Sequence, residues 1–234
     1  MKYMVYCPAG AGGHFLTCII ANFLGMNITP NLSSTGHSRD LGHGDWKGHS
    51  DNINFVGDYG ELNFNPKSKI FYTHKWYVGD FKKEQLDQLK VILIDVDRED
   101  YDTVTKMYVC KAWPWILTPE EYEKWKGTSW PEYSTNVIAE SEIVRKELIS
   151  GLSYKITDWM QGYDRSVVDF SINFKTIMGV NDSKLTDILS KFLNAPTNDR
   201  IESLVKEYQD LNRRLYFNEY RTINKGIYFN AEII

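Results

Sequence analysis

The sequence predicts an α/β fold, a three-layer α/β/α arrangement around a central parallel sheet, and three observations predict it. A short apolar run, Met1 to Cys7 (MKYMVYC), passes through the glycine-rich stretch Pro8 to Gly13 (PAGAGG) directly into apolar residues at helical spacing. Two further apolar runs, Lys69 to His74 (KIFYTH) and Val91 to Val96 (VILIDV), are near-continuous rather than alternating, as strands buried on both faces are. A short helical stretch near Lys82 to Leu89 lies between those two runs, which is the alternation of βαβ units.

Each element has a local reason. Neither a strand nor a helix tolerates PAGAGG in its interior, so the first strand ends before it. Phe15, Cys18, Ile19, Ile20, Phe23 and Leu24 then recur at helical spacing, and Gly25 is the expected stop. From Met26 to about Pro66 the chain is rich in Asn, Gly, Ser, His and Asp, with little periodicity. It is too long for a passive connection, and a polar insertion acting as a lid or binding loop is expected at 26–66. Asp100 to Trp113 has a helical pattern. Thr118-Pro119-Glu120-Glu121 opens another helix with a capping box and Pro at the first helical position. Ser134 to Met160 is a long helical stretch with Gly151 as its weak point. Arg165 to Phe174 contains a strand (VVDFSINF), Ser183 to Leu193 an amphipathic helix, and Asp199 to Tyr216 a charged final helix. With no internal repeat, the 234 residues fit one α/β domain.

Composition narrows the partners. The hydrophobic fraction is 42% and the charged fraction 25%, ordinary for a globular chain. A formal charge of −4, with Lys and Arg scattered, argues against a nucleic-acid binder that relies on a basic face, so a small or carbohydrate-like partner fits better. No run approaches the ~18–20 apolar residues of a membrane span, and the N-terminal pattern is not that of a signal peptide, so a soluble cytoplasmic protein is expected. Cys7, Cys18 and Cys110 are isolated and read as reduced, buried thiols. His37, His43 and His49 recur every six residues with Asp40, Asp45 and Asp51 interleaved. Those side chains carry zinc-ligating atoms, but the spacing matches no known motif and solvent-exposed histidines in a polar loop are the simpler account. Trp113, Trp115, Trp125, Trp130 and Trp159 fit a helical core, or a sugar-stacking platform if they face a cleft.

The glycine-rich turn carries the chemistry. Between a strand and a helix, small residues let backbone N–H groups converge on an anion while the helix N-terminus adds roughly half a positive charge. Gly10, Gly12 and Gly13 are expected to supply positive φ angles and close approach, and Thr17, one turn into the helix, a hydroxyl for the same oxygens. The Walker pattern G-x-x-x-x-G-K-[ST] is absent because no Lys follows the glycines, and G-x-G-x-x-G fails because Gly10-Ala11-Gly12-Gly13-His14 ends on Phe15. A tight connection that binds nothing is the plainer account of the same residues.

In order and spacing the chain resembles the PAPS-dependent sulfotransferase family. That family's first strand enters a P-x-x-G-[ST]-[ST]-x-L loop that holds the 5'-phosphosulfate; here the loop reads Pro8-Ala9-Gly10-Ala11-Gly12-Gly13-His14-Phe15-Leu16, with Ala9 for the family's basic residue and glycines for its hydroxyl pair. The family's R-x-P-x-D-x-x-x-S motif, which holds the 3'-phosphate, corresponds to Arg98 through Lys106: Arg98 and Asp102 coincide, Pro is lost, and Lys106 replaces Ser. A Lys still binds phosphate. A solvated Arg98 paired with Asp102 is the structural alternative. Thr73-His74 matches a recurring T-H at a strand end, and Val167 to Leu193 follows the family's strand–helix segment in pattern.

The resemblance implies a P-loop-like sulfotransferase architecture and PAPS as co-substrate, with no metal expected. It implies sulfuryl transfer to a hydroxyl of a small molecule or glycan. Ala9, Gly10, Ala11, Gly12, Gly13, His14 and Thr17 would hold the phosphosulfate, and Arg98 and Lys106 the 3'-phosphate. His74 would act as base, with His14 its rival or a direct contact to the sulfate, and Lys75 would add charge. Small members of this kind are viral in type, which would put the chain in a host cytoplasm. The competing functions are a non-catalytic nucleotide- or anion-binding module of the same fold, and a P-loop kinase-like transferase that would need ATP with Mg²⁺.

Overall fold

Five strands pair in parallel in the order β2-β3-β1-β4-β5, so that the first strand, β1 (Lys2–Tyr6), lies at the centre. The others are β2 (Ile53–Phe55), β3 (Ile70–Thr73), β4 (Leu89–Asp95) and β5 (Phe170–Asn173). The structure is a computed structural model and describes residues 1–8, 10–28, 53–55, 67–73, 86–101, 103–104 and 165–216. Most of the polar insertion and the helices expected over 105–160 lie outside the described residues. Those described form an α/β arrangement with a parallel sheet, as the apolar runs predict.

Register explains why the strands are continuously apolar. Tyr3 aligns with Ile70, Val5 with Tyr72 and with Ile92, and Ile94 with Ile172, so these side chains share one face of the sheet. Met4, Tyr6, Phe71, Val91 and Leu93 form the other. Both sets are buried, and a strand covered on both faces has no position for an alternating polar residue. Each fully buried side chain of this kind contributes about 1.5–3 kcal/mol of transfer free energy.

Among the described residues four α-helices follow the strands: α1 (Gly13–Phe23), α2 (Phe174–Met178), α3 (Leu185–Leu193) and α4 (Asp199–Tyr216). Three of them close the first face. His14 of α1 meets Tyr72 of β3; Phe192 of α3 packs on Tyr3 and stacks on Phe170; Phe15 of α1 stacks on Tyr208 of α4 with ring centroids 3.6 Å apart. Every residue of α1 is buried, so it is an interior helix rather than a surface one. It stops at Gly25 as expected: φ of 78° there lets Met26 N–H donate to Ala21 C=O (2.9 Å) and Gly25 N–H to Asn22 C=O (3.0 Å). No described helix is long and apolar enough to cross a membrane.

Two elements differ from expectation. The insertion contributes an edge strand, β2, paired in parallel with β3. Three residues (INF) among polar neighbours are too few to show a period of two. The run VVDFSINF is not one strand: Arg165–Val167 is a 3₁₀ turn, β5 spans four residues, and Phe174 already belongs to α2. Asn173 makes the switch, since its side chain accepts from Lys175 N–H (2.8 Å) and caps the new helix.

Candidate functional site

Strand order reverses about β1, with β3 on one side and β4 on the other. In open α/β sheets ligands bind outside the carboxyl ends of the strands at such a point. The glycine-rich turn leaves β1 there. Cys7 N–H, beside it, donates to Thr73 C=O of β3 at 3.3 Å.

The turn is built by backbone. Gly10 has φ of 94° and Gly12, the N-cap of α1, φ of 86°, both in the left-handed region. Gly13 departs from expectation, since it is the first helical residue and not a positive-φ position. Ala11 N–H donates to Pro8 C=O (3.2 Å) and Leu16 N–H to Gly12 C=O (3.0 Å). Between them lie the first-turn N–H groups of Gly13, His14 and Phe15, which a helix leaves without intrahelical acceptors, and the N-cap residue, Gly12, has no side chain with which to cap them. A helix N-terminus in a buried place, entered through glycine, has the donor geometry and partial positive charge that suit an oxyanion.

The space beside Gly12 is closely packed. A Cβ there would meet Tyr208 Oη at 2.9 Å, Ile177 Cγ2 at 3.0 Å and Met178 Cε at 3.2 Å, so α2 and α4 roof the turn. The Tyr208 hydroxyl is buried and has no hydrogen-bond partner among the described residues. Burial, with a smaller contribution from Cys7, pushes its phenol well above the ordinary tyrosine value.

The predicted side chains sit as follows. His14 is 5% exposed. Its Nε2 is 2.6 Å from Tyr72 Oη, with the rings edge-to-face at 4.4 Å, so this nitrogen engages the core beneath the turn. Thr17 Oγ1 donates to Gly13 C=O at 2.7 Å and is fully buried, so its proton serves the helix's own first turn. Arg98 opens the 3₁₀ turn Arg98–Asp100 just past β4 and is exposed. Ala9, His74, Lys75, Asp102 and Lys106 lie outside the described residues, as do Cys110, the His37/His43/His49 series and the five tryptophans. Cys7 and Cys18 are buried thiols, as expected.

Arg98 stands in acidic company, flanked in the chain by Asp97, Glu99 and Asp100. Asp97, Glu99 and Asp100 each place a carboxylate oxygen within 4.8 Å of the others. Lys175 of α2 answers them: its ammonium hydrogen-bonds Glu99 and lies 3.6 Å from Asp100 and 3.7 Å from Asp97. That hydrogen bond raises the Lys175 pKa above its ordinary value. Asn173 Nδ2 donates to Asp97 (3.0 Å), Tyr216 Oη to Asp100 (2.5 Å), and Arg165 makes a two-pronged bridge to Asp95 (2.8 Å). Burial first, then the Asp100 hydrogen bond, pushes Tyr216 up to about 12. The carboxylate donor set is of the kind a hard divalent cation takes, but the Lys175 ammonium already supplies the counter-charge. The carboxylates are adjacent in the chain, but the residues that close the cluster are not legible from it, 76 residues separating Glu99 from Lys175 and 116 separating Asp100 from Tyr216.

Comparison of the chain with protein-family models, with curated proteins and with solved structures finds no match.

Proposed function

We propose that the chain binds a phosphate- or sulfate-bearing co-substrate at the glycine-rich turn and is a P-loop-like sulfotransferase, moving the sulfuryl group of PAPS to a hydroxyl of a small molecule or glycan. The observation that carries the proposal is the buried start of α1, whose N-cap is a glycine with no capping side chain, reached through two positive-φ glycines at the carboxyl end of the central strand. Amides fixed in that position need no reorganisation when negative charge grows on the transferring group.

The chemistry asks little else of the protein. The acceptor oxygen attacks sulfur, the bond from sulfur to the bridging phosphate oxygen breaks, and adenosine 3',5'-bisphosphate leaves with that electron pair. The acceptor's proton goes to a base, for which His74 is proposed; it follows Thr73, the last residue of β3 and a neighbour of β1 in the sheet. Arg98 and Lys106 are proposed for the 3'-phosphate. The buried thiols Cys7 and Cys18 accord with a reducing, cytosolic setting.

A second function, anion or nucleotide binding without transfer, is favoured by one specific observation: Arg98 shares its end of β4 with Asp95, Asp97, Glu99 and Asp100, whose field opposes a phosphate. Calorimetric titration with adenosine 3',5'-bisphosphate, with ATP and Mg²⁺ in parallel, separates the cases. Micromolar binding of the bisphosphate, with turnover that His74→Ala abolishes while affinity is kept, supports the transferase. Binding without turnover on any acceptor supports the binding module. Binding of neither nucleotide removes both.

A further inference from the structure

We propose that Tyr208 of α4 is an anion-binding residue, its hydroxyl donating to the oxyanion held at the start of α1, so that the C-terminal helix completes the site. The inference rests on the anion-site reading above and adds to it a residue from the C-terminal helix, far along the chain from the Gly13, His14 and Phe15 amides.

Three features converge on the assignment. The Tyr208 side chain is 0% exposed, yet its hydroxyl has no hydrogen-bond partner among the described residues. Buried hydroxyls are rarely left so, and such a group calls for a ligand or a functional reason. The hydroxyl is aimed at the turn, since its oxygen lies 2.9 Å from where a Cβ of Gly12 would stand; glycine at that position is what admits it. The ring is held by parallel stacking on Phe15, at 3.6 Å and 2°, so the hydroxyl is fixed relative to the helix that supplies the amides. Burial keeps the phenol protonated at neutral pH, so its hydroxyl is a donor for an anion at the start of α1.

Tyr208→Phe isolates the hydroxyl, since it keeps the ring and its stack on Phe15. We expect the unliganded variant to melt at the same temperature as the parent or higher, because a buried unsatisfied group has been removed. Calorimetry with sodium sulfate and with adenosine 3',5'-bisphosphate, at equal ionic strength, should show affinity reduced by about tenfold or more for whichever of them the parent binds. Unchanged affinity in Tyr208→Phe overturns the inference and leaves the anion site standing. Loss of sulfate binding in Tyr208→Phe, with a parent that binds sulfate but no bisphosphate, upholds the inference and removes the sulfotransferase. A parent that binds neither overturns both.

Discussion

The carboxyl ends of β1 and β4 lie side by side in the sheet, Tyr6 opposite Leu93, yet they present opposite chemistries. Past β1 the chain is neutral, buried and shaped by backbone, with glycines where side chains will not fit. Past β4 it is exposed and ionic, with Asp95, Asp97, Glu99 and Asp100 set against Arg98, Arg165 and Lys175. Both ends were expected to hold phosphates. The difference teaches that the positive potential available to an anion here comes from oriented amides, while the cations of the second region are largely spent on its own carboxylates.

The largest effect should come from the first region. Gly12→Ala forces a side chain into the left-handed region, which costs about 1–2 kcal/mol, and drives its Cβ to 2.9 Å from Tyr208 Oη and 3.0 Å from Ile177. Overpacking of that kind adds a cost of similar size, so urea unfolding should show a loss of about 3 kcal/mol, the same at low and high salt. Lys175→Met tests the second region. It leaves three carboxylates facing one another, Asp100 among them at 2% exposure, and should cost about 1.5 kcal/mol at low salt, shrinking as salt screens the repulsion. If the Lys175 variant proved the more damaging, or the Gly12 loss varied with salt, the contrast between a packed end and an ionic end would collapse.

How far these regions were legible in the sequence follows from the same contrast. The β1–turn–α1 unit could be read because its signals are local: an apolar run, a cluster of glycines, then helical spacing, with Gly25 ending the helix where expected. The strands β3 and β4 and the helices α3 and α4 were legible for the same reason. What local pattern could not give was the use of side chains. Thr17 bonds Gly13 rather than facing outward, His14 bonds a tyrosine 58 residues away, and Tyr208 reaches the turn from α4. The ionic cluster is legible only in part: Asp97, Glu99 and Asp100 flank Arg98 in the sequence, but Lys175, which organises them, arrives only when β5 and α2 are folded against β4. Glycine strain is written locally; charge balance is written in the tertiary structure.

A pH profile sharpens the comparison from the packed side. Burial pushes the Cys18 thiol, inside α1, up to about 12 from an ordinary value of 9.0. Its folded pKa is raised, so the unfolded chain releases the proton first, and the stability this thiol contributes is whole below pH 9 and lost as pH climbs from 9 toward 12. By pH 10 the loss should reach about 1 kcal/mol, following ~1.4 kcal/mol per pH unit once the unfolded thiol is ionised. Denaturant midpoints for Cys18→Ala should therefore fall less steeply than the parent's between pH 9 and 10. Parallel profiles would mean that the thiol reaches water in the folded chain.

Arg98→Ala should have the smallest effect on stability and the most to say about function. The guanidinium is exposed and forms no ion pair with a described carboxylate, so removing it should change the unfolding free energy by no more than about 0.5 kcal/mol. If the bisphosphate is held at both strand ends, the same change should weaken its binding by about tenfold, the worth of one charge-assisted contact. If affinity is unchanged while Tyr208→Phe lowers it, the anion is held at the end of β1 alone. The carboxylates around Arg98 give the physical reason such an outcome is coherent: a phosphate there would have to displace favourable pairing already made by Lys175 and Arg165, whereas at the start of α1 the amides of Gly13, His14 and Phe15 have no intrahelical bond to give up.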